Sequence, residues 1–224
     1  MNQDNATTQV TRLSNALRAG DASARLQAAL TAGIHADDAS LPILISRCAV
    51  EPDFYVRDML TWAITRHDRS QAVDLLLPEL GSVTPQARSQ ALHSLSKIRD
   101  PRAWPAITVA LLRDPDEDVA KTAWRVAAGL APERERADLA RELGRNFGRG
   151  DGELRQSLSR AIAMLGPAAE PVVEEASESE DPDVRAHALA TAHVMANPDD
   201  SFEAAVEEAR RVVALRAAPA IEDH

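Results

Sequence analysis

Trp62, His93, Arg125 and Arg160 follow one another at intervals of 31, 32 and 35 residues. If repeated elements bring them to one surface, an indole, an imidazole and two guanidiniums would share it. Such a surface could cover a planar or apolar group and hold an anion beside it. Trp and Arg are the usual anchors of interaction surfaces, and a guanidinium grips carboxylate or phosphate through charge-assisted hydrogen bonds. Four places before each of these residues stand Asp58, Ser89, Lys121 and Gln156, a second row with the same rhythm. Trp124 adjoins Arg125 and would flank the surface. The candidate binding residues are therefore Trp62, Asp58, His93, Lys121, Trp124, Arg125 and Arg160. An acidic peptide or protein, a carboxylated small molecule or a phosphate would suit them.

Other chemistry leaves no trace in the sequence. It contains no His-Glu-x-x-His pair for zinc and no Gly-x-x-x-x-Gly-Lys-Ser/Thr loop for phosphate. It has no Gly-x-Ser-x-Gly elbow to present a nucleophile. Cys48 is the single cysteine and sits in the apolar run from Leu41 to Val50, so it reads as a small buried hydrophobe. The histidines are scattered, and His187 and His193 lie too far round a helix to share a metal. The glycine-rich stretch from Gly144 to Gly152 follows no strand and reads as a loop between helices. No catalytic residue, metal or cofactor is expected.

The elements that must position these residues are visible as a repeat. An Asp or Thr is followed three places on by an apolar residue and four places on by Arg. The leaders are Asp21, Asp53, Thr84, Asp116, Asp151 and Asp181, with Ala120 replacing the Arg in the fourth copy. Apolar residues three and seven places after each leader mark one face of a helix. Asp and Thr are good N-caps, because the side-chain oxygen takes an unpaired N–H of the first turn. Each leader thus starts the second helix of a pair. Pro42, Pro105 and Pro171 fall near the first turn of a preceding helix, where a missing N–H costs little. Pro78 falls later in its helix and should kink or shorten it. The recurring arginines read as scaffold, each bonding to a cap carboxylate or a loop carbonyl. Positions five and nine after the cap point away from the pair's core and carry the two rows above.

The six pairs map to about 7–34, 37–67, 69–98, 101–131, 133–166 and 167–196, with an amphipathic helix from Ser201 to Arg216. This predicts an all-α fold, a right-handed α-α superhelix in one domain over 1–216, with 217–224 as a disordered tail. The second helices should line its concave face. Composition agrees. Aromatics are 3% of 224 residues and glycines number 9, which suits a core of Ala, Leu, Val and Ile. The net charge of −10 offers no global field for a polyphosphate backbone. No stretch approaches a membrane span, and the first residues lack the regions of a signal peptide. The expected location is the cytoplasm.

The segment from Leu95 to Ile107 resembles the HEAT-like repeats of the phycobilin-lyase type, and Asp114–Ala120 and Glu180–Arg185 resemble their inter-helix turn. Glu51–Ala63 also resembles small actinobacterial HEAT-repeat proteins, some joined to DNA-binding domains, for which these repeats leave no room. The first resemblance implies a HEAT-like solenoid used by adaptors, scaffolds or lyase subunits; the second implies a sensor or adaptor. The expected function is non-enzymatic binding of a protein, peptide or small anionic ligand. The alternative is a bilin-lyase-like or chaperone-type enzyme subunit, and a further one is a HEAT-like DNA glycosylase using Trp62, Asp58 and Arg125.

Overall fold

The structure is a computed structural model that describes residues 2–197 and 202–217. It is all-α, and no strand occurs among the described residues. Six helix pairs follow one another, then a last helix. The pairs are α1 (Asn2–Ala16) with α2 (Ala22–Ile34), α3 (Leu41–Cys48) with α4 (Phe54–Ile64), and α5 (Arg69–Glu79) with α6 (Pro85–Ile98). Next come α7 (Val109–Leu112) with α8 (Glu117–Leu130), α9 (Arg136–Gly144) with α10 (Gly152–Ala163), and α11 (Glu170–Ser177) with α12 (Pro182–Ala196). The last helix is α13 (Phe202–Ala217). Ala217, expected in the tail, thus ends α13; the rest of the expected tail lies outside the described residues. The chain divides into two compact units, Met1–Leu111 and Leu112–His224.

The caps form as the leaders require. The side chains of Asp21, Asp53, Asp116, Asp151 and Asp181 each accept from the backbone N–H three residues on, at 2.9–3.3 Å. Thr84 occupies the same place without a side-chain bond. Pro78 is the penultimate residue of α5, so it shortens that helix. The first helix of the fourth pair departs from expectation. Instead of one helix there is a 3-10 stretch, Pro101–Ala106, and then the single turn α7. Pro101 and Pro105 remove two backbone donors within five residues, too many for a continuous α-helical ladder.

The arginines four places after the caps are scaffold. Arg25 donates to the Ala19 and Gly20 carbonyls, Arg57 to Glu51 and Pro52, and Arg88 to Ser82. Arg155 donates to Gly148 and Gly150, and Arg185 to Ser179 and Glu180. Each turn's carbonyls, turned away from any helix, thereby gain a charged donor.

In the N-terminal unit the core runs through Leu44, Val56, Leu60, Ile64, Leu92 and Leu95, all shielded from solvent. Glu51 is buried between two pairs. Arg25 Nε donates to its Oε2 at 2.9 Å, Arg47 Nε to the same oxygen at 2.8 Å, and the Asp53 N–H to Oε1 at 3.0 Å. Burial opposes the charge of Glu51, but the bonds from Arg25, the Asp53 amide and Arg47 outweigh it and hold the carboxyl at about 2. Cys48 is a buried free thiol, as expected, and burial pushes it up to about 12.

In the C-terminal unit Val119, Ala123, Leu143, Leu154, Leu158 and Ile162 are buried. The loop after α9 turns through Gly148 and Gly150, both with positive φ, where a side chain would be strained. It delivers the Gly148 N–H to His187 Nδ1 at 3.1 Å. His187 Nε2 lies 2.9 Å from the Arg155 carbonyl, and Phe147 and Phe202 meet the ring edge-on. Helix α13 lays Phe202, Ala205 and Ala209 on Ala190 of α12.

Candidate functional site

The face formed by positions five and nine after each cap is solvent-exposed in part. In the N-terminal unit Asp58 and Trp62 stand one turn apart on α4, and both are exposed. Trp62 is 37% exposed although its neighbours Thr61 and Ala63 are buried. Its six-membered ring lies over Gly33 of α2, so close that a Cβ at 33 would overlap ring carbons. The Arg66 guanidinium sits 6.0 Å from the ring centroid, within cation–π range. His93 takes the matching place on α6, which packs on α4, and is half-buried. Ile34, next to Gly33, is 61% exposed.

In the C-terminal unit Arg125 on α8 and Arg160 on α10 occupy matching places on two helices that pack together, and both are exposed. Lys121 is half-buried. Its Nζ lies 2.7 Å from Glu153 and 3.0 Å from Asp118, and the bond to Glu153 leads the contacts that raise its pKa.

Trp124 corrects the expectation. It is fully buried, and its indole N–H donates to the Leu112 carbonyl at 2.7 Å. The indole is thus held against the first helix of its own pair, with the Arg149 guanidinium 5.9 Å from the ring centroid, so no ligand reaches it. Ser89 of the second row is also buried, and Ala190, nine places after the Asp181 cap, lies under α13.

The sequence reading missed what surrounds Trp62. Gly33 and Arg66 carry no motif. The signal that could have found them is position: they fall twelve and thirteen places after caps Asp21 and Asp53, at the end of the same helix face. Among the described residues no group of His, Cys, Asp and Glu is placed to hold a metal. No described helix is long and apolar enough to cross a membrane.

Stacked helix pairs with a capped turn and an arginine bonded to it define an α-helical repeat protein. Residues 42–128 match the family model of HEAT repeats. That segment therefore carries HEAT repeats, and the same cap and arginine geometry continues on both sides of it. No curated protein matches it significantly. Among solved structures, an engineered protein is 20% identical with a TM-score of 0.44. That likeness covers 96% of this chain but only 65% of the engineered one, less than two thirds of its length. Human deoxyhypusine hydroxylase in complex with glycerol is 17% identical, TM-score 0.45, over 95% of this chain and 97% of that one. The complex of CpcE and CpcF of phycocyanin lyase from Nostoc sp. PCC7120 is 16% identical, TM-score 0.36, over 90% and 93%. At such scores these likenesses carry no argument about function.

Proposed function

We propose that the protein is a non-enzymatic adaptor that binds a protein or peptide through the exposed face of its second helices. In the N-terminal unit Trp62 is the anchor, with Asp58 and His93 as polar neighbours. In the C-terminal unit Arg125 and Arg160 supply positive charge for acidic side chains, while Lys121 is largely engaged by its two carboxylates.

The observation that carries this reading is Trp62. A tryptophan that served only the core would be buried as Trp124 is. Trp62 instead presents over a third of its surface from the last turn of α4, between buried Thr61 and Ala63. A large, rigid ring fixed in place loses little entropy on binding, which is why such residues dominate interface energetics. The ionisable groups with the largest shifts, Glu51, Cys48 and His187, support the same view. Each is buried and committed to packing or hydrogen bonds within its own unit.

The test is affinity capture from native extract with the wild type, Trp62→Ala and Arg125→Ala/Arg160→Glu. The proposal expects a partner enriched by the wild type and reduced severalfold by each variant, with all proteins equally folded. A partner retained at full yield by Trp62→Ala would refute the assignment.

A further inference from the structure

The geometry points to a second binding site, for a small amphipathic anion, in the opening between α1 and α2. It is independent of the Trp62 surface.

The first pair packs differently from the rest. Positions three and seven after the cap carry the apolar stripe of each second helix. In the second to fifth pairs they are buried: Val56 and Leu60, Ala87 and Ala91, Val119 and Ala123, Leu154 and Leu158. In the first pair Ala24 is exposed and Ala28 only half-buried. Among the described side chains of α1, only Val10 and Leu13 are aliphatic and larger than alanine. After α1 only Leu17 is fully buried, so the pair is pinned at that end, and Val10 and Leu13 remain half-buried.

What remains is a cavity of about 430 Å³. That lies within the range of pockets for small organic ligands. Its walls include Val10, Leu13, Ala28 and Ala32. At its rim are Arg12 and His35, both exposed, and Asp37. Asp37 caps the short 3-10 turn that follows, its Oδ1 accepting the Ala39 N–H at 3.1 Å. An apolar body fills such walls, and a carboxylate or sulfonate complements the guanidinium at the rim.

The test uses anilinonaphthalene sulfonate as probe, followed by its fluorescence, with neutral phenylnaphthylamine as control. The wild type should enhance both dyes saturably. Ala28→Phe, which fills the cavity from its floor, should abolish both signals. Arg12→Glu leaves the walls intact; it should weaken the sulfonate severalfold and leave the neutral dye unchanged. Absence of enhancement in the wild type overturns the site. So does equal sulfonate binding by Arg12→Glu. A signal lost in Trp62→Ala but kept in folded Ala28→Phe places the dye on the other surface and also overturns it. If Ala28→Phe does not fold, the Arg12→Glu comparison decides alone.

Discussion

Trp62 and Gly33 form one contact: the indole ring rests on the backbone of α2 where α2 lacks a side chain. The glycine is the reason the ring can approach α2 so closely while Trp62 stays 37% exposed. Gly33→Ala should therefore displace the ring even though alanine is the better helix former. Overpacking of this kind costs about 1–3 kcal/mol, against a propensity gain of about 1 kcal/mol. The expected result is a net loss of stability and a shifted Trp62 emission. Unchanged emission together with raised stability would contradict the contact.

Arg149 supplies what the fourth pair lacks. Ala120 stands where the other pairs have Arg, and Arg149 from the following loop reaches back to the Asp114 carbonyl at 2.5 Å. Its guanidinium also lies 5.9 Å from the Trp124 ring centroid. Arg149→Ala should cost about 1.5–3 kcal/mol, the range for a hydrogen bond to a charged group. Chemical denaturation measures it. A loss no larger than that of Arg134→Ala, at an exposed site, would remove the substitution argument.

Glu51 is the charge on which the first two pairs converge. Glu51→Gln keeps the shape but leaves Arg25 and Arg47 facing a neutral group. Breaking such a buried pair costs about 3–5 kcal/mol. The carboxyl is held at about 2, below its ordinary 4.5. Its contribution is complete above pH 4.5 and disappears as pH falls toward 2. The acid limb of the wild-type stability curve should flatten in the variant.

His187 acts at milder pH. Burial, partly offset by the Arg155 carbonyl, pushes it down from 6.5 to about 4. The neutral ring is the one that accepts the Gly148 N–H. Its contribution is therefore present above pH 6.5 and is lost as pH falls toward 4, at about 1.4 kcal/mol per pH unit for one proton. Phe202 contacts the ring, so α13 should loosen over the same window. Hydrogen exchange in α13 measures this. Protection that is flat from pH 7 to pH 4.5 would exclude the coupling.

The architecture was legible because the leaders repeat one local instruction, a cap, an apolar stripe and an arginine, with Ala120 alone replacing the arginine. Helix ends such as Asp53 and Asp181 follow from side-chain chemistry within four residues. The broken helix before α8 was not legible, since Pro105 permits either a helix start or a 3-10 stretch and packing decides. The site was legible only in part. Helical arithmetic brings Asp58, Trp62, Arg125 and Arg160 to solvent, but it cannot separate Trp124 from Arg125, one residue apart, without the contact that turns the Trp124 indole to the Leu112 carbonyl. Nor can it show Gly33 beneath Trp62 or Arg25 bonded to Glu51, because those contacts join residues 29 and 26 places apart.

Site-specific photocrosslinking probes the binding face most directly. A photoreactive phenylalanine analogue replaces Trp62 in one protein and Val83, 95% exposed on a turn, in another. In native extract, the account predicts a discrete crosslinked partner from position 62 and none from position 83. Equal crosslinking from both positions, or none from position 62, would contradict it.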